Sequence, residues 1–161
     1  MPFNQMMLFP TEFKLVTTPD GLRMRATPIA EIARLREKTK TWSSLTAAAA
    51  NQKLNKYGLG PLDVRLDVTL EKEDAFSIRY QENTIATIHS ADLENGKGIV
   101  EILIDKGVAE IFANGGARYI TTEILTRQGG HGLEFALRPS SKIDRLEISR
   151  MKSIWDASTP P

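Results

Sequence analysis

Between Leu62 and Glu71 apolar and polar residues alternate without interruption: Leu62, Val64, Leu66, Val68 and Leu70 interleave with Asp63, Arg65, Asp67, Thr69 and Glu71. Such a run satisfies itself only as an extended strand with one dry face and one wet face. A helix of the same sequence would scatter those five side chains around its circumference. The pattern continues at Phe76, Ile78 and Tyr80, after the turn-like Glu73-Asp74, and again at 84–89. Residues 99–105 and 108–113 are β-rich runs joined by Lys106-Gly107, the length of a tight hairpin connection. Asn114-Gly115-Gly116 supplies residues that tolerate positive φ for a second tight turn into 118–125. Leu133, Phe135 and Leu137 alternate, as do Leu146 and Ile148. Near the start, 13–17 and 22–26 flank Thr18-Pro19-Asp20-Gly21, which predicts another hairpin.

Two stretches depart from period two. Ile29, Ile32, Ala33 and Leu35 fall at helical spacing, so 29–37 reads as a short helix or an irregular rim. Residues 47–56 read as one helical turn or a loop. Roughly ten short strands, with no crossover helices between them, predict antiparallel sheets rather than a parallel one. The expected fold is all-β: a two-sheet antiparallel β-sandwich of jelly-roll or concanavalin-like type, with one short helix at most. A closed barrel meets the same pattern. At 161 residues, 41% hydrophobic and 25% charged, the chain has material for one domain spanning 1–161.

The chemistry available to such a chain is narrow. It has no cysteine, so disulfides, zinc–thiolate sites and cysteine nucleophiles are excluded. A net charge of +1 gives no electrostatic reason to expect nucleic acid or an anionic membrane as partner. Met1-Pro2-Phe3-Asn4-Gln5 carries neither a basic n-region nor an apolar h-region. Nucleophile elbows, phosphate loops, zinc-binding helices and EF-hand loops are absent as patterns, and no cofactor is expected. His131 and Glu134 have H-x-x-E spacing, but on a strand they point to opposite faces, so no metal is expected. His131 reads as a loop residue.

Glycoside cleavage needs two carboxylates, one to protonate the leaving oxygen and one to attack or activate water. Asp105 and Glu110, on adjacent strands, are the best local pair, although charged side chains facing each other are ordinary in hairpins. Asp63, Asp67, Glu71, Glu73 and Asp74 read as solvated surface. Among aromatics that stack on sugar rings, Tyr80 alternates with Phe76 and Ile78 and reads as core. Trp42 and Tyr57, in less regular sequence, are the carbohydrate-binding candidates.

Several segments in order resemble glycoside hydrolase family 32, the invertases, inulinases and levanases. They are the Phe9-Pro10-Thr11-Glu12 element, the Thr17-Thr18-Pro19-Asp20-Gly21-Leu22 hairpin and the Pro28-Ile29-Ala30-Glu31-Ile32 connection. Ile102-Leu103-Ile104-Asp105 followed by Val108-Ala109-Glu110-Ile111-Phe112-Ala113-Asn114-Gly115 is similar to the family's "ILVD…VEVFVNDG" hairpin, and Met151-Lys152-Ser153-Ile154-Trp155 to its C-terminal strand.

In that family catalysis belongs to an N-terminal five-bladed propeller, with an aspartate from a W-M-N-D-P-N-like motif, an R-D-P aspartate and an E-C glutamate. None of these motifs occurs here. Four-stranded propeller blades take about 40–45 residues each, so five need roughly 200 or more. The chain cannot hold both propeller and sandwich, and no catalytic residue carries over. The resemblance implies a C-terminal sandwich domain of a larger fructan-cleaving enzyme, with residues 1–10 leading in from the propeller. It implies a β-fructofuranosyl-cleaving parent that is secreted or periplasmic. Phe3, Met6, Met7, Leu8 and Phe9 are the candidate propeller interface, with the sandwich's own core as their other destination. The alternative role is a carbohydrate-binding module for fructan or another polysaccharide. An uncovered interface also predicts self-association of the isolated domain.

Overall fold

The computed structural model describes residues 7–19, 21–125 and 130–152. Phe3, Met6 and Trp155 lie outside the described residues. Eleven strands are present among them, all pairing antiparallel. They are β1 (Thr11–Thr18), β2 (Gly21–Pro28), β3 (Lys40–Leu45), β4 (Leu62–Thr69), β5 (Ala75–Tyr80), β6 (Asn83–His89), β7 (Lys97–Asp105), β8 (Val108–Ala113), β9 (Arg118–Glu123), β10 (Leu133–Ala136) and β11 (Lys142–Arg150). Six form one sheet in the order β3-β11-β4-β7-β8-β9, and three form a second, β10-β5-β6. Strands β1 and β2 stand apart as a two-stranded ribbon.

The alternation of β4 does what it promised: Leu62, Val64, Leu66 and Val68 are each no more than 1% exposed. They pack with Val100, Ile102 and Ile104 of β7, Ala109 and Ile111 of β8, and Ile143, Leu146 and Ile148 of β11. Phe76, Ile78 and Tyr80 of β5 and Leu133 and Phe135 of β10 close the core from the smaller sheet, with the Phe76 and Phe135 rings edge to face at 5.2 Å. This is the expected sandwich, not a closed barrel. Among the described residues the helical content is α1 (Ala47–Leu54) and two 3-10 turns, Ala30–Leu35 and Ser90–Asp92.

The stretch read as a helical turn or loop is thus a real helix, and 29–37 holds the 3-10 turn. Thr46 caps α1, its hydroxyl accepting from the Ala49 N–H at 3.2 Å. Ala50 and Leu54 face the core. Asn51 pairs with the backbone of β10 through its side-chain amide: Nδ2 donates to the Phe135 carbonyl at 2.9 Å and Oδ1 accepts from the Phe135 N–H at 2.8 Å. The helix so substitutes for a neighbouring strand at the free edge of the smaller sheet.

On the outer face of the larger sheet a second apolar cluster forms from Ala26, Ile32, Leu103, Phe112 and Met151, with Phe9, Ile29, Leu35 and Tyr119 packed around it. It lies under the ribbon and the Ala30–Leu35 turn. Gly116, with φ +80°, permits the ribbon to approach: the Ala26 N–H donates to the Gly116 carbonyl at 3.0 Å. A Cβ on Gly116 would stand 2.0 Å from the Ala26 oxygen.

Candidate docking surface

The lead-in segment is anchored by a buried carboxylate. Glu110 on β8 is 0% exposed, and its Oε2 accepts from the Phe9 N–H at 2.6 Å. The Tyr119 hydroxyl, on the neighbouring strand β9, donates to Oε1 of the same carboxylate. Burial raises the Tyr119 pKa, and its bond to Glu110 adds to the rise. Behind this latch the Ile29 N–H donates to the Pro10 carbonyl at 3.1 Å. Phe9 is half-buried in the outer cluster, whereas Met7 is 82% and Leu8 48% exposed. The five lead-in candidates therefore split among the three that are described: Phe9 enters the domain's own packing, and Met7 and Leu8 do not.

Asp105 and Glu110 lie on the adjacent strands β7 and β8, but not directly opposite each other. Glu110 stands opposite Leu103, and Asp105 stands opposite Val108. Asp105 is exposed and accepts from its neighbour's amide, Lys106 N–H, at 2.7 Å. Glu110 is roofed by the lead-in segment, out of reach of any glycosidic oxygen.

Two further carboxylates read as solvated are buried instead. Asp63 is 3% exposed, with Arg36 Nε donating to its Oδ2 at 2.6 Å. The same guanidinium reaches Glu101 Oε1 at 3.1 Å. Burial raises the pKa of Asp63 against the opposing pull of Arg36. Glu101 is raised by burial and by the like charge of Asp63. Burial by itself lowers the Arg36 value, but the bond to Asp63 and the charges of Asp63, Glu101 and Glu147 together raise it above the ordinary one. Asp74, also 3% exposed, accepts from Ser141 Oγ at 2.8 Å, Ser140 Oγ at 2.9 Å and Arg138 at 2.9 Å. Those serine hydroxyls, with Arg138 behind them, hold its pKa below the usual carboxylate range.

The open part of the outer face is a charged trough beside the Arg36 network. Two adjoining depressions, about 370 and 260 Å³, share Arg65 and Glu147 on their walls. A third, about 600 Å³, lies at one end of the sandwich over Leu70 and Leu93. Among the described residues no group of three His, Asp or Glu side chains is placed to hold a metal ion. His131 is exposed and outside any strand.

Of the two sugar-stacking candidates, Tyr57 is 9% exposed, within the main core. Arg150 sits 5.6 Å from its ring centroid. Trp42, on β3, is half-buried against the core with Lys53 Nζ 5.7 Å from its ring. Tyr80 is buried, as read.

A small sheet facing a large one across an apolar core, with a ribbon laid on the outer face, defines a two-layer antiparallel β-sandwich whose polar groups hold its own segments in place. The family described as "Glycosyl hydrolases family 32 C terminal" matches residues 67–150, and the chain belongs to it. Over 99% of its length the chain is 24% identical to the levanase of Bacillus subtilis (strain 168), covering 29% of that protein. The exo-inulinase of Aspergillus awamori superposes over 96% of this chain and 38% of its own, with TM-score 0.67 and 14% identity. Fructan 1-exohydrolase IIa of Cichorium intybus superposes over 88% of this chain and 40% of its own, with TM-score 0.59 and 14% identity. The chain thus spans between a quarter and two-fifths of the length of these relatives.

Proposed function

We propose that the chain is the non-catalytic C-terminal domain of a family 32 enzyme cleaving β-fructofuranosyl linkages, and that it braces the N-terminal five-bladed catalytic propeller of the same polypeptide. The observation that carries this reading is the use made of Glu110. In an active site a carboxylate must meet substrate, but this one is sealed under Phe9 and Tyr119 and holds the segment that joins the domain to whatever precedes it. Family membership supports the same reading, since the matched family is by description a C-terminal one. The names of the levanase, exo-inulinase and fructan exohydrolase relatives support a fructan-cleaving parent. We further propose that the parent is exported, as suits an enzyme meeting a polymer outside the cell.

The purified 161-residue chain, incubated with levan, inulin and sucrose, is expected to release no fructose. In the longer polypeptide, deleting this domain is expected to lower the temperature at which the catalytic part unfolds. Fructose release by the chain alone, abolished by replacing one of its own carboxylates, would overturn the reading. So would a catalytic part that unfolds at the same temperature with and without the domain.

A further inference from the structure

The chain has two Asn-Gly steps, Asn95-Gly96 and Asn114-Gly115, and both lie in turns at positive φ. Such a step carries a latent reaction, because glycine leaves its own main-chain nitrogen open to the preceding asparagine side chain. The nitrogen gives up its proton and attacks Cγ. The new N–Cγ bond closes a five-membered imide, the Cγ–Nδ2 bond breaks, and Nδ2 takes a proton by way of solvent and leaves as ammonia. Water then opens the ring. Addition at Cγ gives aspartate, whereas addition at the main-chain carbonyl carbon gives isoaspartate, whose backbone runs on through Cβ and Cγ. The sum is asparagine plus water giving an acidic residue plus ammonia.

Ring closure requires the Asn–Gly peptide plane to swing until its nitrogen meets Cγ, so the surroundings set the rate. Around Asn95 they resist. The flanking Glu94 and Lys97 exchange hydrogen bonds at 3.1 and 3.0 Å, and the buried Gly96 accepts from the Leu70 N–H at 2.8 Å. A Cβ on Gly96 would stand 2.3 Å from the Leu70 oxygen, so backbone presses on backbone there. Around Asn114 they yield. Gly115 is exposed, and the Asn114 carbonyl is held by a long bond from the Ala117 N–H at 3.3 Å. A Cβ on Gly115 would meet Arg25 Nη1 at 3.3 Å, the far end of a flexible side chain. That guanidinium also lies where negative charge develops, first on the deprotonated nitrogen and then on the oxygen of the attacked amide.

We propose that Asn114 is a site of self-modification, turning to aspartyl and isoaspartyl forms through an imide closed with Gly115 beside Arg25. The isoaspartyl form loosens the β1–β2 ribbon. It adds one atom to the main chain just ahead of Gly116, whose carbonyl holds the Ala26 N–H at 3.0 Å. The fit there is close, since a Cβ on Gly116 would stand 2.0 Å from the Ala26 oxygen.

The 161-residue chain is aged in mildly alkaline buffer, and its peptides are separated and fragmented by mass spectrometry to count ammonia loss at each asparagine. Asn114 is expected to convert roughly tenfold faster than Asn95 in the folded chain, and at a similar rate to it in urea. Equal rates in the folded chain would overturn the proposal, and so would a preference for Asn114 that survives in urea. Arg25→Gln is expected to slow Asn114 roughly fivefold and to leave Asn95 unchanged. Loosening of the turn by that substitution would instead speed the reaction, so an unchanged or faster rate sinks the role given to Arg25. Ageing is also expected to speed amide exchange at Ala26 in the wild type but not in Asn114→Gly, which keeps the positive φ and cannot form the imide. The same rise in aged Asn114→Gly would show that the ribbon loosens for another reason.

Discussion

A carboxylate taken out of water costs several kcal/mol unless its lone pairs are met, and Asp63, Asp74 and Glu110 are each met differently. Glu110 takes a backbone amide and a phenol, Asp63 a guanidinium, and Asp74 two serine hydroxyls and an arginine. Glu110→Ala leaves the Phe9 N–H and Tyr119 hydroxyl without their partner. It is expected to lower stability by about 2 kcal/mol, read as a fall in urea midpoint at unchanged m, and to speed exchange of the Phe9 amide. Asp74 gives a pH-dependent test. Its folded-state pKa lies below the unfolded one, so the unfolded chain binds more protons and stability rises with pH through that interval. The stabilisation is present above the ordinary carboxylate value and fades as pH falls toward the lowered one. The stability gap between wild type and Asp74→Asn, followed by denaturant titration, is therefore expected to shrink from pH 7 to pH 3. A gap that is constant or widens in acid contradicts the assignment. None of the three burials shows in the local pattern, because alternation tells which face a residue takes and not what covers that face. Glu110 is covered by Phe9, about a hundred positions earlier in the chain.

Among elements, the strands with clean alternation were legible at once, and β4 is the clearest. Strand β3 was not: in Lys40–Leu45 only Trp42 and Leu45 are even partly buried, and Ser44 has a positive φ of 55°. An edge strand with one side to solvent leaves little periodicity to read. Helix α1 was half legible, since Ala47 to Ala50 favour a helix but only Ala50 and Leu54 mark an inward face. The work of Asn51 was hidden altogether, because pairing with Phe135 is a contact across the fold. Asn51→Leu is expected to cost about 2 kcal/mol by leaving both Phe135 groups unpaired, with faster hydrogen exchange along β10. Unchanged exchange at Phe135 would show that the helix is not closing that edge. The same change uncovers a strand edge, so the variant is also expected to aggregate sooner on heating than wild type.

At the scale of the whole molecule, the two-layer core followed from the alternation, while the outer layer did not. Nothing in 11–28 says that its dry face continues past the body it rests on. That fact emerges from the exposures of Leu15, Leu22 and Met24. The larger sheet also orders its strands unlike the chain: β11 lies between β3 and β4, pairing with both along its length. A chain stopped before Lys142 is therefore expected to show no cooperative thermal unfolding, and a sharp transition in that truncated chain would contradict the topology. During synthesis the place between β3 and β4 stays vacant until Lys142–Arg150 has left the ribosome. A message cut short before β11 would then yield a lone β3 and the ladder β4-β7-β8-β9 with nothing between them, a form that chaperones and proteases recognise. Strand order alone makes the domain a seal that sets only once β11 has emerged.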